Sequence, residues 1–236
     1  MKKLISFYAF ILMLSYGCQE AGTNEGIQEE QQTGSVSTVE AKDNVTNRKK
    51  TIVFFGNSLT AGYGLEPSEA FPAIIQQHID SLGLAYRVVN AGVSGETSAG
   101  GKGRIDWLLK QPVDVFVLEL GANDGLRGIN PDETYQNLGT IIDRVREKNP
   151  DVEIILAGMQ MPPSMGQRFT AEFKELFSKL AAEKDAKLIP FILEGVAGEK
   201  ELNQGDGVHP TVEGQKVLAT NVWNVLEPVL KEKSTI

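Results

Sequence analysis

Between Thr51 and Leu226 short apolar runs alternate with helical stretches, and this alternation constrains the fold more than any other feature of the chain. Strands are expected at 51–55, 86–90, 113–120, 152–157 and 187–191. Helices are expected at about 68–81, 104–110, 131–148, 170–185 and 211–226, the last ending near Pro228. Pro72 suits an early turn of the first of them. A helix between successive strands returns the chain to the same sheet edge, so the strands run parallel and both sheet faces are covered. The crossovers are right-handed. The fold class is therefore α/β: a three-layer α/β/α sandwich with a five-stranded parallel sheet, forming one domain from residue 51 to 236. The 41% apolar composition and the length fit one domain of this kind plus an arm.

The first run, Thr51-Ile-Val-Phe-Phe55, reads as a buried, central strand, and it ends at Gly56 in a polar turn that carries Asn57 and Ser58. Ligands in open α/β sheets bind at the carboxyl edge, where this turn emerges. Ser58 is thus a candidate nucleophile; on this stretch alone the N-cap of the next helix is the favoured reading.

Charge and composition narrow the chemistry. A formal charge of −8 without a Lys/Arg stripe argues against nucleic acid as a partner. Only His78, His209 and Cys18 offer nitrogen or sulfur ligands, without metal-binding spacing, so no metal and no cofactor is expected. Met1-Lys2-Lys3, the apolar run 4–14 and the small residues before Cys18 make an export signal over 1–18, too short to span a bilayer. Its Gly17-Cys18 ending resembles a bacterial lipoprotein signal, although Leu14 stands one place earlier than the usual aliphatic residue. That resemblance implies lipidation at Cys18, a membrane anchor and a location in the periplasm or cell envelope; an ordinary cleaved signal with an incidental cysteine is the alternative. Residues 19–50 are polar, with too little apolar surface to offset the entropy of ordering, and read as a disordered tether.

Four loops gather at the carboxyl edge: Gly56-Asn57-Ser58-Leu59, the stretch from Asn90 to Thr97 containing Gly95, Gly121-Ala122-Asn123-Asp124-Gly125, and Asp206-Gly207-Val208-His209-Pro210. They deliver a hydroxyl, backbone N–H groups, a carboxamide and an Asp/His pair, the parts acyl transfer requires. Residues three positions apart in a turn entering a helix lie on the same side. Asp206 can therefore hold one ring nitrogen of His209 while the other faces the serine. His78, mid-helix, is read as solvated.

In order and at matching intervals, Gly56-Asn57-Ser58-Leu59, Gly95, Gly121-x-Asn123-Asp124 and Asp206-x-x-His209 resemble the four motif blocks of the SGNH (GDSL-type) hydrolases. The wider texture is similar to the bacterial branch of thioesterase I, arylesterase and lysophospholipase L1. The resemblance covers the chain from Thr51 onward and implies a flavodoxin-like sheet and a serine esterase acting through an acyl-enzyme. It implies Ser58 as nucleophile, His209 as general base and Asp206 as the group orienting it, with an oxyanion hole of the Ser58 and Gly95 N–H groups and the Asn123 amide. One departure stands out: Asn57 replaces the aspartate usual before the serine. The Gly-x-Ser-x-Gly elbow of another hydrolase fold is absent.

Other residues receive plainer readings. Glu119 is expected to be a paired structural carboxylate, Trp107 and Trp223 core residues, and Arg127 a surface cation that could touch an anionic headgroup. A Glu119/Asp124 glycosidase pair would leave Ser58 and His209 unexplained. The loop after strand four, with Met159, Met161, Pro162 and Pro163, is expected to form an adaptable apolar wall for acyl or aryl groups, although Met159 could equally fill the core. The partner is then a small-molecule ester, with some thioester and lysophospholipid capacity. A carbohydrate acetylesterase and a non-enzymatic acyl- or lipid-binding lipoprotein are the alternatives, and a monomer is favoured.

Overall fold

The computed structural model describes residues 48–234. The expected signal, Cys18 and the tether as far as Asn47 lie outside the described residues. Five strands, β1 (Lys50–Gly56), β2 (Tyr86–Gly92), β3 (Val115–Glu119), β4 (Glu153–Ala157) and β5 (Lys187–Ile189), form one sheet in the order β2-β1-β3-β4-β5. All neighbouring pairs are parallel. This is the doubly wound order in which the chain reverses direction across the sheet between β1 and β3, the position where such folds place ligands. Gly56 is in register with Gly92 on one side and Glu119 on the other, so the loops after β1, β2 and β3 leave the sheet side by side.

Among the described residues seven α-helices accompany the sheet: α1 (Ser58–Ala61), α2 (Phe71–Ser81), α3 (Ser98–Leu108), α4 (Ala122–Leu126), α5 (Pro131–Lys148), α6 (Gln167–Glu183) and α7 (Val212–Ser234). Alternate residues of β1 show the two faces. Phe54 meets Phe71 of α2 edge-on at 5.4 Å, whereas Phe55 lies against Gly101 of α3. Helices α2 and α7 pack together, and α5 packs against both α3 and α6. The core between these layers is dominated by fully buried Ile52, Phe54, Phe55, Phe116, Leu118, Ile155 and Leu156. Helix α5 follows its sequence signals residue for residue. Asn130 accepts from the Asp132 N–H, Pro131 opens the first turn, Asp132 and Glu133 face the positive end, and Arg146 and Lys148 the negative one.

Several features differ from the sequence expectation, and packing accounts for the largest of them. Helix α3 begins at Ser98 rather than near Arg104, although Gly100, Gly101 and Gly103 each disfavour a helix by about 1 kcal/mol relative to alanine. Thr97 caps it by accepting from the Gly100 N–H, and a Cβ on Gly101 would stand 2.4 Å from Leu120. Glycine is used there for close helix–sheet contact, and tertiary packing overrides propensity. Helix α7 continues past Pro228 to Ser234 because buried Leu226, Val229 and Leu230 anchor both sides of the proline. Trp107 is 71% exposed and not a core residue, since it lies on the outer side of α3 while Ile105 points inward. Trp223 is half-buried against the core and takes the exposed His78 ring edge-on at 5.5 Å. At the amino end, Lys50 already belongs to β1 and Arg48 pairs with Asp114 at 3.3 Å, so the ordered ladder starts inside the stretch assigned to the tether.

Candidate active site

The turn after β1 is shaped by Asn57. Its Oδ1 accepts from the Leu59 N–H at 2.9 Å, which makes Asn57 the N-cap of α1 and places Ser58 in the first turn. The N-cap reading of Ser58 is thereby ruled out. At the far end of the short helix, Gly62 takes the left-handed backbone (φ 73°) that stops it. Carbonyls along the turn are held from elsewhere: Tyr63 N–H donates to Ser58 O at 3.0 Å, and the buried Gln215 of α7 donates to Leu59 O at 3.3 Å.

Ser58 Oγ lies 3.0 Å from His209 Nε2, and His209 Nδ1 lies 2.6 Å from Asp206 Oδ2. The other Asp206 oxygen accepts from the Val208 and His209 N–H groups at 2.9 and 3.0 Å. The His209 side-chain bond, followed by those two N–H groups, holds the Asp206 carboxyl well below the usual carboxylate range. An ionised Asp206 can only accept, so Nδ1 carries the ring hydrogen and Nε2 is left to accept from the serine hydroxyl. The Tyr63 ring lies over the imidazole with centroids 4.5 Å apart. Gln204 ties the two loops: its N–H donates to His209 O at 2.7 Å, and its amide to Tyr63 O and Pro210 O at 2.7 and 2.9 Å.

The neighbouring loop after β2 is fixed to the same turn by the Val93 N–H donating to Gly56 O at 2.9 Å. Gly95 adopts a left-handed backbone (φ 79°), strained for any side chain. Its carbonyl accepts from Arg127 at 3.0 Å, and the Glu96 carbonyl accepts from the Asn123 amide, also at 3.0 Å. The Glu96 carboxylate is gripped by Arg104, whose guanidinium also lies 3.9 Å over the Phe55 ring. Beneath, buried Asp124 accepts from both the N–H and the hydroxyl of Ser98, binding α4 to the start of α3. Among the described residues, neither the Ser58 nor the Gly95 N–H is used in a turn, loop or cap hydrogen bond. The Asn123 amide has a second hydrogen beyond the one given to Glu96. Arg127, read from sequence as a surface cation, is thus a brace for the Gly95 loop; no local pattern signals that pairing across 32 residues.

Glu119 closes β3 directly under the Ser58 turn and is 2% exposed. No cation pairs with it among the described residues; it accepts from Asn57 Nδ2 and Thr60 Oγ1 at 2.7 Å and from the Asn57 N–H at 3.2 Å. Burial raises its carboxyl from 4.5 to about 7, against the opposing effect of the Thr60 and Asn57 hydrogen bonds. The native state therefore keeps this proton over a window in which the unfolded chain has lost it. Stability from this group is complete below about pH 4.5 and is lost as pH rises through about 7, on the order of 3 kcal/mol in all. Urea unfolding between about pH 4.5 and pH 8 should show Glu119→Gln losing less stability than wild type by an amount of that order. Parallel pH profiles for the two proteins would contradict this.

The expected wall after β4 is placed differently. Met159 and Met161 are 4% and 7% exposed and belong to the core cluster, with the Met161 sulfur packed where a Cβ on Gly125 would stand. Their side chains fill the interior rather than forming an open apolar face. Pro162 and Pro163 are exposed. Other apolar side chains do face solvent on the loops of this edge. Of six exposed large hydrophobic residues among those described, Tyr63, Val93, Leu126 and Val208 follow β1, β2 and β3 or precede His209. Each lies within five residues of Ser58, Gly95, Asn123 or His209 along the chain. The signal was available in the sequence, since each interrupts a polar, glycine-rich loop.

A doubly wound sheet that delivers a serine after its first strand and a histidine just ahead of its last helix defines the SGNH class of hydrolases. The chain belongs to the GDSL-like Lipase/Acylhydrolase family, whose model matches residues 54–217, and it is a hydrolase acting on ester bonds. It is similar to the esterase TesA of Pseudomonas aeruginosa, 40% identical over 182 residues that cover 77% of this chain and 90% of the relative. The thioesterase 1/protease 1/lysophospholipase L1 of Escherichia coli is 38% identical over 185 residues, 78% of this chain and 86% of the relative. The arylesterase of Vibrio mimicus is 33% identical over 169 residues, 71% and 84% respectively. A crystal structure of TesA matches with a TM-score of 0.73 at 39% identity, covering 76% of this chain and 99% of that one.

Proposed function

We propose that the protein is an exported serine esterase that cleaves aryl and acyl esters through an acyl-enzyme on Ser58, with capacity for thioesters and lysophospholipids. The observation that carries this reading is the hydrogen-bonded chain from Ser58 Oγ through His209 to Asp206. As Oγ attacks the ester carbonyl, Nε2 takes its proton, and the imidazolium so formed is stabilised by Asp206. The tetrahedral oxyanion is received by the Ser58 and Gly95 N–H groups and the free hydrogen of the Asn123 amide. His209 returns the proton to the departing alkoxide, and a water then repeats the sequence to release the acid.

Substrate preference follows from the loops. Tyr63, Val93, Leu126 and Val208 offer apolar surface on all four site loops, and Pro162 and Pro163 are exposed on the loop after β4. Such a surface suits aryl groups and acyl chains beyond acetyl, because each methylene removed from water contributes about 0.8 kcal/mol. The names of the relatives, esterase, arylesterase and thioesterase/lysophospholipase, run parallel to this preference. Export and lipid anchoring through Cys18 belong to the same reading and rest on residues 1–18 of the sequence.

A chain-length series of nitrophenyl esters tests it. Hydrolysis should persist well beyond acetyl, and Leu126→Ser should raise KM for long acyl chains by about tenfold while sparing the acetyl ester. Activity confined to acetyl esters and acetylated sugars would instead favour a carbohydrate acetylesterase.

A further inference from the structure

We infer that Glu119 is a positioning residue for the nucleophile: its carboxyl group fixes the orientation of the Asn57 carboxamide and clamps the turn on both sides of Ser58. The inference rests on Ser58 being the nucleophile, and it concerns what aims that hydroxyl.

The orientation of Asn57 is dictated by its partners. The Leu59 N–H can only donate, so it faces Oδ1; Glu119 Oε1 accepts, so it faces Nδ2. Glu119 Oε2 receives the Asn57 N–H and the Thr60 hydroxyl. The three donors thus come from residues 57 and 60, one before Ser58 and one two places after it. Glu119 reaches this turn because β3 ends directly beside Gly56, where only a glycine leaves room. A Cβ at Gly56 would stand 2.5 Å from Glu119 Oε2 and 2.1 Å from Thr60 Oγ1. For stability alone a buried carboxyl group without a cation is unfavourable, and an apolar residue of similar size would serve better. Its geometry is what the nucleophile turn requires: four bonds, three to Glu119 and one from Leu59, hold the groups around Ser58 while leaving its hydroxyl to reach His209 at 3.0 Å.

Asn57 gives this arrangement its particular polarity. An aspartate at position 57 would set two carboxyl groups against each other, able to coexist only by sharing a proton. The exchange Asn57→Asp with Glu119→Gln reverses the donor and acceptor of one bond and preserves the rest. The glutamine amide would donate to the new carboxylate at position 57, while its oxygen accepts from the backbone N–H of that residue and from Thr60.

The experiment compares wild type, Glu119→Gln, the double variant Asn57→Asp/Glu119→Gln, and Ser58→Ala, by nitrophenyl-ester kinetics and by the rate of fluorophosphonate labelling at Ser58. At pH 8, where the Glu119 carboxyl has lost its proton, Glu119→Gln turns an amide hydrogen toward existing donors. It is expected to lower kcat and the labelling rate by about 10- to 100-fold with KM within about twofold. The double variant should recover to within about threefold of wild type, a rescue that a merely structural role would not give. Wild-type kcat and labelling in Glu119→Gln, or a double variant no better than Glu119→Gln, would overturn the inference. Should Glu119→Gln fail to fold, Thr60→Val decides: it removes one of the three donors, and an unchanged kcat would equally overturn it. Loss of activity in Ser58→Ala separates that outcome from a failure of Ser58 as nucleophile, in which Ser58→Ala itself would remain active.

Discussion

Ser58→Ala is expected to lower ester hydrolysis by roughly 10⁴- to 10⁶-fold while leaving urea unfolding almost unchanged. The size of the loss follows from what remains. On the proposed mechanism, without the hydroxyl His209 has no proton to take, and only the oxyanion donors and the apolar loops still act on a bound ester attacked by water. Those donors sit on backbone and on Asn123, so they survive the substitution and should leave a small residual rate. Ser58 is 8% exposed and its hydroxyl bonds chiefly to His209, so its removal costs little packing. A variant with wild-type turnover would remove Ser58 from the mechanism.

His209→Ala should cost a comparable factor, and the pair Ser58→Ala/His209→Ala should be no slower than either change alone, because the two groups act as a unit. The fluorophosphonate reaction gives an independent reading. It forms a covalent bond to Ser58 and so requires the hydroxyl to lose its proton, which Nε2 at 3.0 Å is placed to accept. Labelling in His209→Ala should slow by roughly 10³-fold or more. Labelling at the wild-type rate would deny His209 the role of base. Multiplying losses in the double variant would show that the two residues contribute separately.

Much of this site could be read from the amino acids because the informative relations are local. The apolar run into Gly56 places Ser58 at a strand end, and the Asp206-x-x-His209 interval suffices to set a carboxylate on the ring nitrogen, as observed at 2.6 Å. Helix α5 was legible for the same reason, with its cap, proline and charges within single turns. What escaped is what depends on distant partners. The start of α3 was hidden by glycines, and Gly101 among them serves contact with Leu120 and Phe55, both remote along the chain. Met161 sits in a loop by sequence, yet the chain after β4 turns inward and seats its sulfur over Gly125. Gln204 reaches Tyr63 across 141 residues, and Glu119 reaches Asn57 across 62, so neither brace leaves any local trace.

The Asp206/His209 loop comes late in the folded segment, whereas Ser58 lies near its start. Synthesis that has reached Gly205 has produced the proposed nucleophile, all five strands and the Gly95 loop, but neither Asp206 nor His209. Gln215 of α7 and Gln204 are what tie this late segment back to the Ser58 turn, through Leu59 O and Tyr63 O. On the proposed mechanism a copy that ends before His209 should retain no more than the small residual rate expected of His209→Ala.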